Sequence, residues 1–204
     1  MVESLLKNLK ANNINGYFAK NSEEAKELAL GLIPKNSVVG MGNSLTLRQT
    51  NIFDSLASGN YQLINQFEPG ITPEENLRRR RESLLSDVYF TGVNAISLNG
   101  ELINIDGKGN RVAAIMFGPQ KVVIVAGKNK IVNDEEEAWE RLKMQAAPAL
   151  AKKLGRNTPC AKTGTCSDCA SAERICRCYT VIKGQMPADK DRIHVIIVDE
   201  NLGI

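Results

Sequence analysis

The chain has 204 residues, 43% hydrophobic and 24% charged, with a formal net charge of +3. That length supports one substantial domain with its own core, and the charge is too small to mark a nucleic-acid or membrane-surface binder. No apolar run approaches the roughly 20 residues a membrane span needs, and the early Glu3 does not fit a signal peptide, so a cytoplasmic location is expected.

In chain order, Leu5, Leu6 and Leu9 stand at helical spacing and predict a helix over about 2–12. Tyr17-Phe18-Ala19 is a short strand candidate, and Ser22 is the expected N-cap of a helix reaching about Leu32, closed by Pro34. Ser37–Met41 predicts a buried strand, 45–57 a single helix, and Tyr61–Asn65 another strand. Thr72-Pro73-Glu74-Glu75 is a helix start with Pro at the first helical position. That helix carries Arg78 to Arg81, which read as a solvated face.

Asp87–Thr91 predicts a strand, and Ala95–Leu98 and Glu101–Ile105 flank Asn99-Gly100, a hairpin signal. A short helix over 111–116, a buried strand over 121–126 and a helix opening at Asn133-Asp134 follow, with Pro148 expected to kink the last. Ile193–Val198 predicts the final strand. Strands alternating with helices indicate an α/β fold of parallel units with a central antiparallel hairpin.

Three segments carry chemistry. Val39-Gly40-Met41-Gly42-Asn43-Ser44-Leu45-Thr46 places two glycines and two hydroxyls at a strand-to-helix junction. Glycines allow close backbone approach to a ligand, and a helix start presents free N–H groups, so the turn reads as an anion site. It is equally a tight turn capped by Asn43 or Ser44.

Asn104-Ile105-Asp106-Gly107-Lys108-Gly109-Asn110-Arg111 is dense in polar and flexible residues. Arg111 is placed to hold a carboxylate or phosphate with a bidentate fork, or the segment is a hydrogen-bonded loop closing the hairpin.

All five cysteines fall between Cys160 and Cys178, in the pattern C-x5-C-x2-C-x6-C-x-C. In a reducing compartment such clustering means metal or redox chemistry more often than disulfides. Zinc usually takes two C-x2-C knuckles, and this chain has one, which favours a 4Fe-4S cluster over zinc. Cys160, Cys166, Cys169 and Cys176 are the expected ligands, with Cys178 able to replace Cys176. His194 is the only histidine, in an apolar strand where it is expected to face solvent or a loop. Histidine-dependent hydrolase chemistry is therefore disfavoured.

Together, Gly40–Thr46, the Asp87–Ile96 strand and turn, Gly100–Ala114, Phe117-Gly118-Pro119, Gly127–Val132 and the Pro159–Cys176 loop resemble the LUD-domain (lactate utilisation) family over nearly the whole chain. The resemblance implies a NagB/RpiA/CoA-transferase-like sheet flanked by helices, as a single domain over 1–204. The cysteine-rich loop, 158–178, would be inserted before the last strand. In that fold group the glycine turn faces a phosphorylated sugar, folate or CoA-type ligand. This implies Gly42, Asn43, Ser44 and Thr46 as one wall of a site for a small anion, and Asn94, Asp106, Asn110 and Arg111 as the other.

Family members include subunits of an iron–sulfur system that oxidises L-lactate to pyruvate, so redox partner subunits are implied. The alternative is a small-molecule or phosphate-ligand binding or regulatory subunit with a structural zinc and no catalysis. No nucleic-acid or membrane partner is expected, and a homo-oligomer is compatible with either reading.

Overall fold

A computed structural model describes residues 1–204. Ten strands form two sheets. The first is six-stranded and wholly parallel, in the order β1 (Asn15–Ala19), β10 (Ile193–Val198), β7 (Lys121–Gly127), β4 (Val88–Thr91), β2 (Val38–Met41), β3 (Gln62–Ile64). Its central strands are continuous apolar runs because helices cover both faces. On β7 and β10, Val122, Ile124, Val195 and Ile197 pack on one side with Leu5 and Leu9 of α1 (Val2–Ala11) and Ile115 of α6 (Asn110–Met116). Val123, Val125, Ile196 and Val198 pack on the other with Ala25 and Ala29 of α2 (Ser22–Gly31), Leu47 of α3 (Leu45–Gln49) and Ile52 of α4 (Ile52–Ala57).

The second sheet has the order β8 (Ile131–Val132), β5 (Ala95–Ser97), β6 (Leu102–Asp106), β9 (Cys178–Ile182). The β5–β6 hairpin is present, its turn closed by Gly100 at φ +83°. Ile96, Leu102 and Ile182 face α1, while Ala95, Ile103 and Ile105 face Ala138 and Leu142 at the far side. No helix is long and apolar enough to cross a membrane.

Several details depart from the sequence reading, each for a local reason. The helix expected over 45–57 is two helices. Thr50 Oγ1 donates back to the Thr46 carbonyl, and Asn51 takes the left-handed conformation at φ 56°, which Asn tolerates better than most residues. Asn21, not Ser22, caps α2 by accepting the Glu24 N–H, while Ser22 donates to Glu200. Thr72 does cap α5 (Pro73–Glu82), accepting from Glu75.

Pro148 opens α8 (Ala147–Lys153), and the irregularity falls before it, as a π-helical turn over Leu142–Ala146 that follows α7 (Glu135–Arg141). A proline cannot donate its i−4 hydrogen bond, and the preceding turn widens.

The cysteine segment does not lead directly into the last strand. It contains α9 (Pro159–Thr163) and runs into β9, which pairs antiparallel with β6 at Asp106↔Cys178. Cys-Tyr-Thr-Val-Ile has strand-forming composition, but its first residue also belongs to the cysteine pattern, which obscures the strand. His194 is 7% exposed, not facing solvent. Its ring nitrogens bond Tyr17 Oη at 3.0 Å and the Asp191 carbonyl at 2.9 Å, and burial lowers its pKa.

Candidate functional site

Ligands of parallel α/β sheets bind where the carboxyl ends of neighbouring strands open a crevice. Here the turns after β2, β4 and β7 converge beneath the second sheet and form a cleft of about 320 Å³. The β2 and β4 turns pack closely. A Cβ on Gly42 would meet Thr91 Oγ1 at 2.9 Å, and one on Gly92 would meet Ser44 Oγ at 2.8 Å.

Six of the eight expected ligand residues line the cleft: Asn43, Ser44, Asn94, Asp106, Asn110 and Arg111. Gly42 and Thr46 lie behind its surface, Gly42 as the close contact with β4 and Thr46 fully buried. Of the two readings of the turn, the cap is present: Ser44 Oγ accepts the Leu47 N–H at 3.3 Å at the start of α3, which has only five residues.

Arg111 is held inward. A guanidinium has five N–H donors, and all five are engaged. Nε donates to Asp106 Oδ2 at 3.1 Å. Nη1 donates to Asn104 Oδ1 at 3.2 Å and the Gly92 carbonyl at 3.4 Å, and Nη2 to Asn94 Oδ1 at 2.9 Å and the Ile105 carbonyl at 2.7 Å. Asp106 Oδ1 in turn accepts the N–H groups of Lys108 and Gly109. The bidentate grip expected of Arg111 therefore closes the hairpin loop, and Arg111 brings charge to the cleft without a free fork. Asn104, fully buried, belongs to the same network.

Other cations lie unpaired. The cleft is lined by five basic side chains (Arg80, Lys108, Arg111, Lys130, Arg156) and one acidic, Asp106, already bound to Arg111. Arg80 belongs to the run read as a solvated helix face. Arg78 and Arg79 do pair with glutamates on or near α5, whereas Arg80 Nε donates to Asn76 and its charge meets no carboxylate.

Lys130 is the most buried of the five at 5% exposed, and its Nζ bonds only neutral oxygens: Thr46 Oγ1 at 3.2 Å and the Val93 carbonyl at 3.0 Å. Burial, then the charges of Arg141 and Arg111, push its pKa down to about 7. Arg141, also buried, donates to the carbonyls of Asn94 and Asn129 and has no carboxylate. The lining also includes Leu142, Ala146, Leu150 and Leu154 of the α7–α8 arm and Ile175 of the cysteine segment. The cleft thus combines positive charge with aliphatic surface.

The cysteine segment is docked on the Asp106–Gly109 side of the cleft. Arg177 N–H donates to the Asp106 carbonyl at 3.0 Å, and a Cβ on Gly109 would meet Cys178 Sγ at 3.3 Å. All five thiols are free and half-buried. The pKa of Tyr179 is pushed up to about 12, by partial burial first and then by Cys176. Cys160 sits on α9 beside Thr158 Oγ1 at 3.4 Å and borders a separate shallow cavity with Arg141 and Pro148. Cys169 has its carbonyl held by Arg174. As placed, no three His, Cys, Asp or Glu side chains converge as a metal donor set, so these residues do not, in this arrangement, fit a cluster or a zinc ion.

A parallel sheet flanked by helices, with a basic cleft at its strand ends, defines an open-sheet α/β domain. Within that class the chain belongs to the LUD-domain family, whose model matches residues 2–198. A DUF162 family protein from Deinococcus radiodurans has the same fold, with TM-score 0.53 and 15% identity over 96% of this chain and 94% of that one. A D-ribose-5-phosphate isomerase in complex with phospho-erythronic acid aligns over 66% of this chain and 64% of its own, at 14% identity and TM-score 0.37. Ribose 5-phosphate isomerase A from Neisseria gonorrhoeae aligns over 67% and 66%, at 17% identity and TM-score 0.34. No curated protein matches the chain.

Proposed function

We propose that this LUD-domain chain binds a small organic anion in the β2–β4–β7 cleft and serves in the utilisation of lactate or a related hydroxy acid. The observation that carries the reading is the charge imbalance of the cleft. Four lining basic residues, Arg80, Lys108, Lys130 and Arg156, have no carboxylate partner, and the only acidic side chain of the lining, Asp106, is already paired with Arg111. Charge without a counter-ion that is buried, as at Lys130, or half-buried, as at Arg80, is costly; an anionic ligand removes that cost, and the exposed Lys108 and Arg156 add attraction to it. The aliphatic surface suits a carbon skeleton attached to the anion. At about 320 Å³ the cavity lies at the lower end of small-molecule sites and leaves room beyond a three-carbon acid for a larger ligand or a second reactant.

Calorimetric titration of the chain with lactate, pyruvate and inorganic phosphate tests this. Binding of at least one is expected, weakening with salt. Arg156→Ala and Arg80→Ala should each lower the affinity by roughly tenfold, about 1.4 kcal/mol, without lowering the melting temperature. Equal affinity in both variants, or no binding of any of the three, removes the reading.

A second reading concerns the cysteine segment. A four-thiolate centre on Cys160, Cys166, Cys169 and Cys176 would require the segment to close so that the four thiols converge. It is supported by five free thiols in one short stretch, packed on the cleft wall. Anaerobic purification with metal analysis decides it. About four irons per chain would support a redox component acting with partner subunits, and about one zinc would make the segment a staple. Five titratable thiols with no metal would end the metal reading.

A further inference from the structure

Lys130 differs from the other unpaired cations of the cleft. Arg80, Lys108 and Arg156 can be hydrated, but Lys130 lines the cleft while only 5% exposed, its Nζ held by the Thr46 hydroxyl and the Val93 carbonyl, with Gly203 so close that an added Cβ would stand 2.9 Å from it. The nearby charged groups are Arg141 of α7 and Arg111 of α6, both cations. Desolvation and like charge act together against the ammonium form, and its pKa falls to about 7. At neutral pH a large share of Nζ therefore carries a lone pair. An amine desolvated beside other cations is an activated nucleophile toward carbonyl carbon.

We propose that Lys130 is a reactive amine that forms an imine with the carbonyl carbon of a small 2-oxo acid held in the cleft. This rests on the anion reading above, since the unpaired cations would hold the carboxylate of the oxo acid. The step needs no co-reactant. The Nζ lone pair adds to the carbonyl carbon and forms the C–N bond. The carbon–oxygen bond then breaks, and both amine hydrogens leave with the oxygen as water. Thr46 Oγ1, hydrogen-bonded to Nζ and fully buried, is the hydroxyl placed to relay a proton during the exchange. A 2-hydroxy acid has no carbonyl beside its carboxylate and cannot react, so Lys130 would discriminate the oxidised from the reduced member of a hydroxy-acid/oxo-acid pair.

The test is reductive trapping on the intact chain. Pyruvate or lactate is added at neutral pH with cyanoborohydride, and the adduct is mapped by peptide mass spectrometry. Pyruvate should mark Lys130 in at least roughly tenfold excess over any other lysine, well within the roughly thousandfold difference in neutral fraction, and lactate should mark nothing. Lys130→Arg should abolish the adduct. Because the adduct is mapped on the unmodified chain, the result does not depend on that variant folding. Pyruvate bound by calorimetry with no adduct at Lys130, or an adduct spread over exposed lysines, overturns the proposal while leaving the anion reading intact. Phosphate binding without pyruvate overturns the imine alone, and absence of binding by lactate, pyruvate and phosphate alike overturns both.

Discussion

Two cations face the same cleft and are treated in opposite ways. On the hairpin side, Arg111 has every N–H engaged by Asp106, Asn104, Asn94 and two carbonyls. On the β7 side, Lys130 has two neutral oxygens and no counter-ion. The first arrangement closes a loop of the fold. The second leaves electrostatic free energy unresolved, and an unresolved charge in a cavity is where a ligand has most to offer. A basic residue in a cleft is therefore informative only once its partners are counted.

Arg111→Ala should separate the two most strongly. It removes five hydrogen bonds and leaves Asp106 half-buried and unpaired, so a loss of about 3–5 kcal/mol in urea unfolding at pH 7 is expected. A loss below ~1 kcal/mol, on the scale of an ordinary surface substitution, would mean that the network is not structural and that Arg111 is free to act on ligand.

Lys130 has the reverse signature, and the pH dependence gives its sign. The folded pKa of about 7 lies below the ordinary lysine value of 10.5. Between these values the unfolded chain binds the proton and the folded chain does not, so this group makes stability rise with pH across that window. Below pH 7 both states are charged, and the full cost of burying the ammonium is felt. Lys130→Met should accordingly stabilise the chain near pH 6 and lose the advantage by pH 10. The change in the wild-type-minus-variant difference should be on the order of 3 kcal/mol. Parallel stability–pH curves for the two proteins would show that Lys130 is charged in the fold, and the contrast with Arg111 would collapse.

The smallest effect is expected at Ser44. Ser44→Ala deletes the cap on Leu47 and should cost about 1 kcal/mol. If Ser44 only caps, phosphate or pyruvate affinity will stay the same. A drop in affinity at equal stability would return the glycine turn to the binding wall.

The features legible in the sequence were those with local causes. The apolar runs of β7 and β10, the Asn99-Gly100 hairpin and the Thr72-Pro73 helix start each follow from a few adjacent residues. The convergence of the Gly42–Ser44 turn with Asn94, Asp106 and Arg111 was legible only through the family resemblance, since nothing local brings those turns together. Lys130 was not found. Lys130 enters only as part of the Gly127–Val132 stretch of the resemblance, and its burial comes from Val93, Thr46 and Gly203, all distant in sequence. Arg80 was hidden among four consecutive arginines, where only the direction of the helix in the fold decides which one meets the cleft. The inward grip of Arg111 could not be read either, because a loop arginine beside Asn and Asp suggests ligand and lattice equally.

The β6–β9 ladder sets how this chain can change in length. Cys178 stands opposite Asp106, with Val181 turned to the α7 side and Ile182 to the α1 side. Since faces alternate along a strand, one residue inserted within 178–182 would exchange the Val181 and Ile182 environments and move Cys178 off Gly109. The exposed stretch around Ala161–Ala170 has no such phase to keep. Insertions and deletions should accumulate there, leaving the strand that follows in step and the Asp106 wall undisturbed, so natural variation in cysteine spacing can proceed without altering the cleft.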